Sequence, residues 1–189
     1  MTDIPGCGVG GWTLVMKLDG TKKTFEYRSS LWTNKEAYAV QDGLEGLTEK
    51  ESKLASYWNT PFTKICLGMS YNGTRKLMSF NYTATSLYSV IADGQFRGTG
   101  AGRAAWKSLI ANSSLQRNCN MEGFNNIQIA NGNRMRIGLV ANEQEDCNSC
   151  DSWIGYGASF TGWTCGNVAR HQPDNGDKNL ATFGYILVQ

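Results

Sequence analysis

The chain of 189 residues is long enough for one domain with a core of its own. Lysine and arginine number 18 against 16 aspartate and glutamate, a net charge of +2 with no basic run, which argues against a nucleic-acid partner. No apolar stretch approaches the ~20 residues that span a bilayer. The 22 glycines, with many Asn, Ser and Thr, disfavour a helical bundle and point to a loop-rich, β-leaning chain.

Residues 6–11 are glycine-rich, and residues 12–18 have the β-branched and aromatic content of a strand. Asp19-Gly20 reads as a turn, with residues 24–27 as the hairpin partner. Ser30 is placed to cap a short helix reaching Tyr38, with Leu31, Asn34 and Tyr38 at helical spacing. Thr48-Glu-Lys-Glu51 fits a capping box and predicts a second short helix to about Ser56. Residues 62–69 form an apolar run suited to a buried strand that contains Cys66. Residues 76–82 and 86–91 read as further strands. Ala105, Trp106, Leu109 and Ile110 make an apolar stripe that predicts an amphipathic helix within residues 100–111. Gly98-Thr-Gly-Ala-Gly102 lacks the remaining residues of either nucleotide-binding pattern and reads as a turn into that helix. Residues 135–141 alternate as a central strand does, and residues 183–188 make a closing strand. No repeat or low-complexity linker divides the chain. These elements predict one α+β domain over residues 1–189, mostly antiparallel sheet with short helices.

Residues 142–177 stand apart, because almost nothing in them has the spacing of a helix or a strand. A long irregular loop is costly to order and is uncommon without a function. Glu143, Glu145, Asp146, Asn148 and Asp151 offer oxygens within nine residues, which suits a calcium ion needing six to eight oxygen ligands. Asp174 and Asp177 flank a second, smaller cluster that also fits a plain tight turn. Trp153, Tyr156 and Trp163 are candidate stacking faces for a sugar, or else they fill a core beneath the loop. Tyr156, between two glycines, is the first choice for an open ring. His171, the only histidine, is a candidate pocket residue. A serine hydrolase is disfavoured because no Gly-x-Ser-x-Gly occurs. A binding module rather than an enzyme is therefore expected.

Six cysteines, an even number, and the sequons at Asn72, Asn81 and Asn112 point to a secreted, oxidised, glycosylated setting. The abrupt Met1-Thr-Asp-Ile-Pro-Gly-Cys start reads as that of an excised domain or mature chain. Cys147-Asn-Ser-Cys150 has no second pair for a zinc site and no following helix for a redox motif, which favours disulfides. Six cysteines allow fifteen connectivities.

Cys7 followed by Gly10-Gly-Trp-Thr-Leu-Val15 and Asp19-Gly20 resembles the opening strand of fibrinogen-like domains and intelectins. The carboxy-terminal part is similar to fibrinogen-related lectins, with acidic residues 143–146, then Cys147 and Cys150, aromatic residues and Cys165. Cys147-Asn148-Ser149 matches an intelectin element that supplies a calcium ligand. The resemblance covers both ends of the chain. It departs from the families in the missing Asp-rich loop and the missing His and Glu partners of the asparagine. It implies a fibrinogen C-terminal-like fold with a disulfide-stapled loop, and the pairs Cys119–Cys147, Cys150–Cys165 and Cys7–Cys66. It further implies an extracellular, calcium-dependent lectin for a glycan or glycoprotein. An adhesive matrix module is the alternative. Homo-oligomerisation, by which such lectins gain avidity, is compatible with the chain, though no coiled coil is encoded.

Overall fold

The structure, a computed structural model, describes residues 1–159 and 162–189. Among the described residues, every pairing within a sheet is antiparallel. A small ribbon joins β1 (Thr2–Ile4) to β2 (Gly8–Gly11). A five-stranded sheet has the order β4-β3-β13-β5-β6, built from β3 (Thr13–Asp19), β4 (Ser52–Lys53), β5 (Phe62–Tyr71), β6 (Thr74–Ala84) and β13 (Phe183–Val188). A six-stranded sheet has the order β12-β11-β10-β9-β8-β7. It contains β7 (Arg97–Gly98), β8 (Asn118–Asn126), β9 (Met135–Asn142), β10 (Ser152–Ala158), β11 (Cys165–Ala169) and β12 (Lys178–Ala181). Short helices α1 (Val40–Leu44), α2 (Ser56–Asn59), α3 (Leu87–Ile91) and α4 (Arg103–Ser108) complete the α+β chain.

The largest apolar cluster draws on both sheets and three helices. Met16, Ile65 and Leu67 meet Ile137, Leu139 and Ile154, with Tyr57, Ile91 and Trp106 from α2, α3 and α4. Burial of this kind is the main favourable term in folding. The sheets are also joined through polar groups. Gly20 N–H donates to Thr182 O, Thr182 N–H donates to Cys165 O, and Tyr156 Oη donates to Gly68 O at 2.9 Å.

Several expected elements are present. The runs at 12–18, 62–69, 76–82, 135–141 and 183–188 are strands, and β9 and β13 are interior to their sheets. The stripe at Trp106 is α4, six residues long. Others differ, each for a tertiary reason. Residues 24–27 form no strand; Tyr27 O instead accepts from the buried Arg136 guanidinium at 2.8 and 3.0 Å. The segment at Ser30 makes one 3-10 turn, Ser30–Trp32, capped by Ser29, while Tyr38 bridges to Lys53. The Thr48–Glu51 box starts no helix, because its side chains are used elsewhere. Thr48 Oγ1 accepts from Lys17 Nζ, and Glu51 Oε1 accepts from Asp19 N–H. Residues 86–91 form α3 rather than a strand. Ser86 and Ser89 make a reciprocal capping box, and Leu87, Val90 and Ile91 turn inward together at helical spacing.

The largest correction concerns residues 142–177, which are not irregular throughout: β10 and β11 run through them, fully buried. Glycines hid these strands. Gly98, Gly123, Gly138, Gly155 and Gly166 stand opposite one another in a single row across five strands. The Met135 side chain lies against the row, and a Cβ at Gly155 would sit 2.8 Å from Gly138 Cα and collide with Met135 and Ile137 O. Close backbone approach of this kind requires glycine.

Candidate functional site

The loops at one end of the six-stranded sheet meet around Gln116, which is fully buried. Its Nε2 donates to Glu143 Oε2 and, at 3.2 Å, to His171 O. Its Oε1 accepts from Asp151 N–H at 3.2 Å and from Ser152 Oγ at 3.3 Å. One side chain therefore ties the loop after β9, the start of β10 and the loop after β11. A second clamp is the buried Asn142, whose Nδ2 donates to Asp146 O at 3.1 Å and to Asn148 O at 2.8 Å. The Cys119–Cys147 disulfide fastens the same loop to β8, where the register shifts between Asn118 and Met121 and Cys119 has φ +67.

Beside these clamps lies a cleft of about 110 Å³, walled by residues 129–131, Cys150, Asp151, Arg170 and His171. The backbone of residues 128–130 closes one wall, with Cys150 N–H donating to Gln128 O and Ala130 N–H donating to Cys150 O. Asn131, Ser149, His171 and Gln172 all have positive φ, so tight backbone turns surround the opening.

The two carboxyls here are displaced in opposite directions. Burial, together with the charge and a hydrogen bond of Glu143, raises the Asp151 carboxyl, against the pull of His171 and Arg170. Burial alone would also raise Glu143. The hydrogen bonds it accepts from its own N–H, Gln144 and Gln116, with the charge of His171, hold it below the usual carboxylate range. Two adjacent acids whose environments separate them in this way leave Glu143 the charged acceptor and Asp151 the first to take a proton. Burial, then Asp151 and Asp146, push the Cys150 thiol up to about 12.

Glu143, Asp151 and His171 are thus brought together, while the remaining expected ligands are dispersed. Glu145 and Asp177 lie exposed. Asp146 Oδ1 accepts from Asn148 N–H at 2.8 Å within its own loop. Asp174 is a structural anchor: it pairs with Lys107 and, at 3.0 Å, with Arg103, and it accepts from Leu115 N–H. Among the described residues, no three His, Cys, Asp or Glu side chains gather into a metal-ligating group. The acidic loop therefore does not fit a calcium centre built on its side chains.

Of the two readings of the aromatic residues, the structure takes the core, and the expected open ring of Tyr156 is corrected. Trp153 and Tyr156 are fully buried, and Trp163 is half-buried against the cluster of Ile129, Met135 and Trp153. The glycines flanking Tyr156 do not expose its ring. The space beside them is filled: Trp32 and Arg136 lie against Gly157. Gly184 lies against the tyrosine, where a Cβ would stand 2.8 Å from Cε1.

Two of the three disulfides implied by the resemblance are formed, Cys7–Cys66 and Cys119–Cys147. Cys150 and Cys165 are buried free thiols. Cys165 pairs in register with Tyr156, six residues along β10 from Cys150, a separation of roughly 20 Å. That span is far beyond disulfide reach. The sequon asparagines Asn72, Asn81 and Asn112 are all exposed. Gln116, Asn142, Arg170 and the 129–131 wall were not singled out from sequence, because a lone polar residue in a coil segment gives no local signal of burial. Among the described residues, no helix is long and apolar enough to cross a membrane. Comparison of the chain with protein-family models, with curated proteins and with solved structures found no match to any of them.

Proposed function

We propose that this chain is an extracellular recognition module that binds a hydroxyl-rich ligand, the end of a glycan, at the cleft of Asp151, Arg170 and His171. The observation that carries this reading is the grouping of acidic, basic and amide side chains around one small cleft, held by a buried glutamine and a disulfide. Sugar hydroxyls both donate and accept, so a site offering carboxylate acceptors beside cationic donors satisfies them in pairs. At about 110 Å³ the cleft admits a terminal group rather than a whole oligosaccharide. Two disulfides and three exposed sequons support the secreted setting.

The grip differs from the one first expected. Hydrogen bonding replaces ring stacking, since Trp153 and Tyr156 are in the core and Trp163 is half-buried. A glycan array followed by calorimetry on the hit tests the reading. Asp151→Asn and His171→Ala should each weaken binding at least tenfold while leaving the melting temperature within a few degrees. Full affinity in both variants would overturn it. Calcium and chelator arms belong in the same experiment, because a specific ion stabilises the native state by mass action.

The adhesive matrix alternative rests on a different feature, an apolar groove of about 620 Å³ beside Pro61, Phe62 and Ala84. Saturable binding to a matrix protein with an empty glycan array would favour it.

A further inference from the structure

Cys150 does more than fill a wall of the cleft. Its Sγ lies 3.7 Å from Cys119 Sγ, which is already bonded to Cys147, so three sulfurs are in contact at the end of β8. We propose that these cysteines form a disulfide-exchange site in which Cys119 passes from Cys147 to Cys150. The Cys150 thiol gives up its proton and its sulfur attacks Cys119 Sγ. A Cys119–Cys150 bond forms as the Cys119–Cys147 bond breaks. The bonding pair leaves on Cys147 Sγ, which takes up a proton. One disulfide and one thiol are present before and after, so the step is an isomerisation that needs no oxidant or reductant.

Surroundings give the exchange a direction and a consequence. Cys150 is fully buried and pinned on both sides by the backbone of residues 128–130. Cys147 is half-buried on a loop whose residues 143–146 and 148–149 are exposed. Exchange therefore moves the free thiol from the interior to the rim and unfastens the acidic loop from β8. The rim thiol is then open to a mixed disulfide with a small thiol compound or a partner cysteine. Cys150 lines the cleft, whereas Cys119 and Cys147 are not among its walls, so the exchange itself needs no entry from the cleft. Burial keeps the thiol protonated, which makes the step slow. The proposal stands on the sulfur geometry and does not require that the cleft bind a glycan.

Cys165 supplies an internal control. It is equally buried, and its Sγ contacts Thr182 Oγ1 at 3.3 Å rather than a disulfide. The oxidised full chain is incubated with iodoacetamide and quenched in acid, and its linkages are read by peptide fragmentation. The expected result is alkylation at Cys147 at least tenfold above Cys165, with Cys119 linked to Cys150. Alkylation confined to Cys150, or none at Cys147 after prolonged incubation, would overturn the proposal. Cys150→Ser should abolish labelling at Cys147; persistent labelling there counts against the exchange. Cys147→Ser, oxidised with glutathione disulfide, should close a Cys119–Cys150 bond. Recovery of both cysteines as glutathione adducts would sink the idea independently of the kinetics.

Discussion

The amino-terminal corner and the polar rim are each tied by one disulfide, and they differ in what surrounds the sulfur. Cys7–Cys66 sits in an apolar cluster with Ile4, Trp12, Leu14 and Leu187, and Cys66 lies inside β5. Cys119–Cys147 joins a bulged strand to an exposed acidic loop with a third sulfur in contact. A bond sealed in a core acts as a staple, whereas a bond at a hydrated edge beside a thiol is one that can be traded. The difference separates a part of the molecule built to stay shut from a part able to change partners.

Cutting the staple should give the largest effect. Cys66→Ala opens a cross-link spanning 59 residues and should cost about 4 kcal/mol. Calorimetry should show a melting point lower by roughly 10 °C. Cys147→Ser under oxidising conditions should cost far less, because Cys150 takes its place. Equal losses in the two variants would erase the contrast.

Gly155→Ala probes the platform under the rim. Its Cβ has no space against Gly138 Cα and Met135, so overpacking of about 3 kcal/mol is expected by chemical denaturation. Near wild-type stability would mean that the glycine row is not a packing requirement.

The five-stranded sheet also carries a buried amine. Lys53 Nζ donates to Asn34 O and Oδ1 and lies over the Tyr57 and Trp58 rings. Burial lowers its pKa to about 8 from the ordinary 10.5. Between those values the unfolded chain binds the extra proton, so the contribution of Lys53 to stability, read as wild type minus variant, should rise with pH from about 8 to 10.5 and then level. That difference between wild type and Lys53→Met should grow by about 1–3 kcal/mol, measured by urea melts along the pH series.

The smallest stability change should accompany a large functional one. Gln116→Ala removes the clamp between three loops and should cost about 1–2 kcal/mol. Ligand affinity at the cleft should fall at least tenfold, since Glu143, Asp151 and His171 lose their common partner. Retained affinity would show that the backbone alone holds the rim.

Legibility in the sequence followed the range of the interaction involved. Trp12 to Leu18 could be read as a strand because aromatic and β-branched content is a local signal. Trp106 announced its helix through i, i+4 neighbours. Ser86 and Ser89 carried a helix signal that apolar content masked. Trp153 and Tyr156 were left between pocket and core because glycines weaken a strand pattern without showing what they pack against. Within the candidate site, the chemistry of Glu143, Asp151 and His171 was visible by residue type, but Gln116, 27 residues before Glu143, was not.

By itself the sequence determined the α+β character, most interior strands and the richness of residues 142–177 in acids, aromatics and sulfur, since these follow from side-chain period and composition along the chain. Tertiary structure alone decided which thiols meet, which rings are covered and which carboxyls face one another. Those outcomes depend on contacts between segments tens of residues apart, and on whether a glycine leaves room for them.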